Sequence, residues 1–418
     1  MNRILQGMRI VESSAFVAVP LAGMTLAQMG AEVIRVDRIQ GGLDSTRHPL
    51  APSGDSLFWA GLNKGKKSIA VDFTNPAARE LVSELITAPG RDAGMFMTNL
   101  SVPGWTDYKT LSARRDDMIV ATLTGDRHGN PQVDYTVNPA LGIPDMTGPE
   151  GHDAPVANAL PAWDLNAGHM MVSNILAAER HRLRTGHGQE VLMSLKDVAA
   201  ATIGHLGMIG DAVLNDTQRG KSGNALYGAY GQDFVCACGT RVMVIGLTAG
   251  QWKGLVAATG TSDQMKLMAK RAKRDIMDEG VRWDLRHDIT AILAPWFAAR
   301  RIEEFEDDFN RRKLTWSRFR SVREAVQDDA DLGEANQMFS VIDQPGIGSF
   351  PVPGHPAAFG SHGRCKPVPA PLLGQHTEEV LGDVMRLSDA QIGKLFDDGV
   401  VQGHGDTASG AMPAWAAE

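Results

Sequence analysis

Met8-Arg9-Ile10-Val11-Glu12 is a largely apolar run of strand length, and Glu32-Val33-Ile34-Arg35-Val36 is another. Between them, Pro20 to Met29 has the make-up of a helix, with Pro20 suited to its first turn and Gly30 to its end. Strand, helix, strand is a βαβ unit. A connection of that length crosses over and returns the chain in the same direction, so the strands pair in parallel. The alternation continues through a strand at Lys67-Ser68-Ile69-Ala70-Val71-Asp72 and a helix from Pro76 to Ile86. Further strands follow at Ala93-Gly94-Met95-Phe96-Met97 and Met118-Ile119-Val120-Ala121-Thr122. The fold class is α/β, built on a parallel sheet.

Such sheets often hold dinucleotides, and Asp37 ends the second strand where a ribose-binding acid would stand. The first turn, however, reads Ser13-Ser14-Ala15-Phe16-Val17-Ala18-Val19-Pro20, with no Gly-x-Gly-x-x-Gly. Its side chains would block the close backbone approach that a pyrophosphate requires, so an NAD enzyme is disfavoured.

With 418 residues the chain has room for two or three domains. Its net charge of −8 argues against a nucleic-acid surface. No apolar run approaches the roughly 20 residues of a membrane-spanning helix. Met1-Asn2-Arg3-Ile4-Leu5-Gln6-Gly7 leads into the first strand without a signal-peptide pattern, which makes a cytoplasmic location the default. The three cysteines lack zinc spacing. Cys236 and Cys238 lie in a strand-like stretch that would turn both thiols to one face, where they read as packing groups. The twelve histidines are scattered, and no metal site is expected.

Asp164 stands out chemically. It precedes a long helical pattern, with Met171, Val172, Ile175 and Leu176 at helical spacing as far as about Arg184. Between Asp153 and Glu179 it is the only charged side chain, counting His as neutral. Burying a lone carboxylate is costly unless something stabilises it. A helix start does so through its unpaired N–H groups and dipole. Asp164 therefore reads either as a plain N-cap or as a carboxylate kept ionised for nucleophilic or base chemistry.

Beyond Asp164, Gln189 to Met193 is a strand and Leu195 to Met208 a helix. From about Asn224 the texture changes to short strands (Phe234 to Ala237, Arg241 to Gly246) and charged amphipathic helices. That suggests a smaller α+β domain. From Val341 the chain is rich in Pro and Gly, then helical from Thr377, and 403–418 reads as a disordered tail.

A series of stretches in this order resembles the class III CoA-transferase family. They are Val17 to Met24, Leu26 to Ile34, Leu62-Asn63-Lys64-Gly65-Lys66-Lys67-Ser68-Ile69, Arg182-Leu183-Arg184-Thr185-Gly186-His187-Gly188-Gln189, Gln344-Pro345-Gly346-Ile347-Gly348 and Leu373-Gly374-Gln375-His376-Thr377. The resemblance implies a Rossmann-like large domain from both chain ends (1–223 and 323–402), a small α+β domain (224–322) and an obligate interlocked homodimer. It makes Asp164 the catalytic nucleophile. It assigns Phe16, Val17, Ala18, Arg38, Asn99 and Leu100 to CoA, and makes Gly228 and Gly231 candidates for binding the oxyanion. The family often continues the Asn99-Leu100 pair with Arg-Pro-Gly; here Ser101-Val102-Pro103-Gly104 brings no basic residue.

Val11 to Ala18, Phe58 to Lys66, Val133 to Pro139 and Ile203 to Ile209 resemble a narrower group in the family. Its members move CoA between the two carboxyls of one C5 unsaturated diacid. The implied substrate is the acyl-CoA thioester of a C5 dicarboxylic acid, with CoA part of the substrate and neither a tightly bound cofactor nor a metal. An intermolecular transferase passing CoA to a free dicarboxylic acid is the alternative. A racemase of this fold would carry Gly-His-Asp where the chain reads Gln132-Val133-Asp134, so its His is missing.

Overall fold

The computed structural model describes residues Arg3–Gly405. It forms two compact units. The first takes the chain up to Leu141, then Ala159–Asn215 and the chain from Asp329; the second takes Gly142–Asn158 and Asp216–Asp328.

The first unit is organised on a sheet whose strands are β1 (Arg9–Ser13), β2 (Glu32–Arg38), β3 (Lys67–Val71), β4 (Met95–Thr98), β5 (Ile119–Thr124) and β6 (Gln189–Ser194). They lie in the order β3-β2-β1-β4-β5-β6, all parallel, with Val11 beside Ile34 on one side and Phe96 on the other. The short closing strand Val401–Gln402 pairs antiparallel outside β3. Sheets covered on both faces use near-continuous apolar strands, as β4 and β5 do, whereas β1 and β2 also bury Glu12, Arg35 and Asp37. The helix Ala18–Gln28 is buried from Ala18 to Ala27 and so is apolar almost all round. On one side of the sheet, Leu81, Val82, Leu85 and Ile86 of helix Pro76–Thr87 join Val380, Leu381 and Val384 over Ile34, Ile69 and Phe96.

From β1 the chain steps outward to β2 and β3, then returns to place β4 on the other side of β1. Such a reversal opens a crevice at the carboxyl ends of the two central strands, where α/β sheets bind ligands. Here it lies beyond Ser13 and Thr98.

The second unit holds an antiparallel sheet of β7 (Gly231–Val235), β8 (Arg241–Ile245) and β9 (Thr315–Arg318). Its core is aromatic: Trp252, Phe297, Phe305 and Phe309 are buried together. The segment 142–158 joins this unit because Lys221 Nζ donates to the Thr147 and Ala154 carbonyls at 2.8 and 2.6 Å, and Arg286 pairs with Glu150 at 3.1 Å.

Several local expectations are corrected. β7 stops at Val235, so Cys236 and Cys238 sit in the turn to β8 rather than on one strand face, and both are free thiols. The helix expected from Leu195 to Met208 is two helices, Leu195–His205 and Met208–Leu214, broken at Gly207 with φ +77°. The Pro- and Gly-rich stretch holds an antiparallel hairpin of Phe339–Gln344 with Gly348–Pro353. Of the tail expected to be disordered, 406–418 lies outside the described residues. Among the described residues no single helix is long and apolar enough to cross a membrane.

Candidate functional site

Ala162–Thr185 is one helix of 24 residues, and Asp164 is its third. Its N-cap is Pro161, which makes no side-chain bond. The cap comes from helix Asp134–Ala140 instead. Asp134 Oδ2 accepts from the Trp163 N–H at 2.7 Å and the Asp164 N–H at 3.2 Å. One turn on, Asn138 Oδ1 accepts from Trp163 Nε1 at 3.1 Å. The reading of Asp164 as the N-cap is thus corrected: the free N–H groups are satisfied from across the site, because Pro161 has no side-chain acceptor to offer. That leaves the Asp164 carboxylate without a structural duty.

Asp164 is half-buried, and its carboxyl is pushed up to about 6. Burial is the main cause, the negative Asp134 adds to it, and the Arg47 guanidinium pulls the other way. Two further contacts fix the site helix. Asn166 Nδ2 donates to Thr202 Oγ1 at 3.0 Å. Gly168, on the same face as Asp164 one turn later, lets helix Ala18–Gln28 pack directly on it. A Cβ at Gly168 would fall 2.7 Å from the Ala18 carbonyl oxygen. The start of that first helix therefore stands beside the Asp164 face. Phe16, two residues ahead of it, takes the left-handed φ of +68°, uncommon for a side chain of its size. The Arg47 guanidinium sits over the Phe16 ring at 5.5 Å and over Phe58 at 5.3 Å.

Beneath these loops lies a buried charge network. Arg35, fully buried, donates to Asp37 at 2.9 Å, to both Asp44 oxygens at 3.1 and 3.0 Å, and to the Ser14 carbonyl at 3.0 Å. Its guanidinium also lies 4.4 Å from the Trp59 ring centre. Burial alone would lower the Arg35 pKa, but Asp37, Asp44 and Glu12 together hold it above its ordinary value. Lys66 Nζ reaches Glu12 Oε1 at 2.8 Å and the Pro20 carbonyl at 2.9 Å. Burial still draws its pKa down to about 8. Arg35 thereby ties the loop after β1 to the loop that carries Arg47.

The residues assigned to CoA are placed as follows. Asn99, just past β4, uses both ends of its amide on Ala15: Oδ1 accepts from the Ala15 N–H at 3.0 Å and Nδ2 donates to the Ala15 carbonyl at 2.9 Å. It thus latches the two lips of the crevice. Arg38 ends β2 and lines a cleft of about 380 Å³, as do Ser13, Ala15, Gly42, Phe73 and Leu100. Val17 and Ala18 are buried beside that mouth, and neither they nor Phe16 line it. Gly228 and Gly231 belong to the second unit, whereas Asp164 belongs to the first. Gly228 has φ +79°; a Cβ on Gly231 would meet Ile245 at 2.6 Å, so packing alone accounts for that glycine. No group of three or more His, Cys, Asp or Glu is placed to hold a metal among the described residues.

Asp134, Arg47 and the Arg35 network carry no local sequence signal of their role. The nearest clue is that Asp134 and Asn138 fall at i and i+4, on one helical face, in a stretch already noted for its resemblance.

Comparison with known proteins identifies the family. The family model for CoA-transferase family III matches residues 5–377. The chain is 51% identical over 404 residues to 2-methylfumaryl-CoA isomerase of Chloroflexus aurantiacus, covering 96% of this chain and 99% of that one. It is 26% identical over 403 residues to succinyl-CoA:mesaconate CoA-transferase of Haloarcula hispanica, covering 91% and 96%. A solved CAIB/BAIF family protein from Brucella suis shares the fold, with a TM-score of 0.74 at 23% identity, over 92% of this chain and all of that one. With a parallel sheet open at its switch point, a partly desolvated carboxylate in the first turn of a helix, and a family model spanning nearly the whole chain, the protein belongs to CoA-transferase family III.

Proposed function

We propose that this protein is an isomerase that moves CoA between the C1 and C4 carboxyls of mesaconate, turning 2-methylfumaryl-CoA into 3-methylfumaryl-CoA. The likeness to 2-methylfumaryl-CoA isomerase over nearly all of both chains carries the reading. Asp164 supplies the chemistry, because its carboxylate is partly desolvated yet free of any capping bond. That carboxylate attacks the C1 thioester, giving a mixed anhydride and CoA thiolate. The thiolate attacks the aspartyl carbonyl, giving an aspartyl-CoA thioester and free mesaconate. The C4 carboxylate then attacks this thioester, forming the second anhydride and releasing thiolate again. Attack of the thiolate on the C4 acyl carbon frees Asp164 and the product. Each step exchanges one activated acyl group for another, so no ATP or metal enters the scheme. Val133 stands where a racemase of this fold carries its His.

The finer assignments belong to the same proposal. The first unit acts as the Rossmann-like CoA domain, holding CoA with Phe16, Val17, Ala18, Arg38, Asn99 and Leu100. Gly228 and Gly231, in the small α+β domain at 224–322, offer backbone N–H groups to the developing oxyanions. The protein acts in the cytoplasm as an obligate, interlocked homodimer. An apolar strip supports that assembly: Leu206, Ile209, Val213 and Leu214 are 68%, 48%, 73% and 84% exposed, more than a lone subunit usually leaves to water. Light scattering on serial dilution should show a dimer throughout; a compact, active monomer would remove this part.

The decisive experiment separates intramolecular from intermolecular transfer. The second carboxyl of the same molecule reacts without a bimolecular capture, an advantage of up to roughly 7–11 kcal/mol in favourable geometry. Purified protein given mesaconyl-C1-CoA should form the C4 ester with no added acid. Labelled free mesaconate, added during turnover, should stay out of the CoA ester pool. Rapid uptake of label, or dependence on an added acid, would instead make the protein an intermolecular CoA transferase.

A further inference from the structure

We propose that Arg47 is the subsite for the substrate carboxylate that is not joined to CoA, and that this cation selects dicarboxylic esters over monocarboxylic ones. The inference rests on the function proposed above and deepens it.

Arg47 is exposed, yet it is held. Its guanidinium lies over Phe16 and Phe58, at 5.5 and 5.3 Å. Its own loop is fixed on both sides. Three residues earlier Asp44 is clamped by both of its oxygens to Arg35, and the Arg47 carbonyl accepts from Ser56 Oγ at 2.6 Å. Against that order of its backbone, the side chain makes no hydrogen bond or ion pair with any described residue. Arg35, by contrast, spends its donors on carboxylates and a carbonyl. An arginine stacked on aromatic rings keeps its in-plane N–H edge free, and that fork matches a carboxylate bidentately.

Its position suits that role. Phe16 leads into the helix that packs on Gly168, one turn from Asp164 on the same face. The Arg47 charge is also close enough to act on the Asp164 carboxyl. Asp134 already places a second negative charge there, so a substrate bringing its own carboxylate needs a fixed cation to enter. The need is greatest between the half-reactions, when mesaconate is a free dianion. Arg47 then holds one end while the other faces Asp164. Which end it holds changes as the molecule turns from C1 to C4.

The test uses Asp164→Asn protein, which binds an ester without turning it over. Dissociation constants are measured by calorimetry for mesaconyl-C1-CoA and for tiglyl-CoA, which has a methyl in place of the free carboxyl. The same pair is measured after Arg47→Ala and Arg47→Lys. The preference for the dicarboxylic ester should fall roughly 10–100-fold with Arg47→Ala, the range for loss of a hydrogen bond to a charged group. Arg47→Lys should keep part of it. An unchanged preference overturns the proposal, and so does an equal weakening of both esters, which would make Arg47 a contact to the CoA phosphates. Isomerisation by the unmodified enzyme is followed separately. If mesaconyl-C1-CoA is not isomerised while the preference still depends on Arg47, the assigned reaction fails and the carboxylate subsite stands.

Discussion

Asp164→Asn should lower turnover by on the order of 10⁴-fold or more, as loss of a covalent nucleophile does. The amide keeps the size of the carboxyl but cannot form the anhydride. Intact mass must exclude deamidation, which would restore the aspartate. The same variant should be more stable than the parent at neutral pH. The Asp164 carboxyl is pushed from 3.8 up to about 6, so the folded protein binds its proton more tightly than the unfolded chain does. The stability this group contributes is fully present below 3.8 and is lost as the pH rises through about 6. Two pK units correspond to at most ~3 kcal/mol, less for a site that water reaches. In thermal unfolding, the gain of the Asn variant should be largest above pH 7 and shrink as the pH falls towards 4. Were Asp164 the cap of its helix, the variant would gain nothing at any pH. In the pH profile, activity should rise through about 6 as the nucleophile ionises. Asp134→Asn keeps an acceptor for the two helix N–H groups and removes a negative neighbour. It should move that limb to lower pH; an unmoved limb would show that Asp134 does not act on Asp164.

The largest effect on folding should come from Arg35→Ala. The substitution leaves Asp37, Asp44 and Glu12 in a dry interior with Lys66 as the remaining cation of the network. Breaking a buried pair by removing one partner costs about 3–5 kcal/mol, against a total stability of about 5–15. Urea unfolding should show that loss. Arg35→Lys should fall in between, since an ammonium keeps the charge but cannot bridge Asp44 bidentately and stack on Trp59. A loss below about 1 kcal/mol for Arg35→Ala would mean that the acids are hydrated or protonated rather than held by the guanidinium.

The sheet was legible in the sequence for a physical reason. β1 to β5 are buried on both faces, so each carries a short apolar stretch, such as Ile10-Val11 or Val33-Ile34, set off by residues such as Gly30 and Pro76. The polar parts were less so. β9 has only partly buried or exposed residues, so it shows no clear pattern. Within the site, Asp164 announced itself as a lone charge, whereas its surroundings did not. Asp134 is 30 residues away in sequence. Arg47 reaches the site from the loop after β2, and only packing brings it there. The family resemblance made Asp164 the nucleophile, whereas the local sequence alone left it equally readable as a helix cap, because capping from a separate helix has no local spacing to read.

The closing strand has a consequence for how the chain is made. Ala70 in β3 donates to Thr377 Oγ1, 307 residues later, and Val71 pairs with Val401. This is an extreme of contact order, and such pairings form slowly because long loops must close first. On the ribosome the strands around β1 emerge early, while the segment that covers β3 emerges near the end. Until then β3 is a raw edge, with unpaired N–H and C=O groups that invite pairing with other nascent chains. Yield on expression, rather than activity, is thus the property most exposed to changes after Leu373. A chain cut before that point keeps every strand from β1 to β6 and Asp164, yet leaves the sheet open on one side.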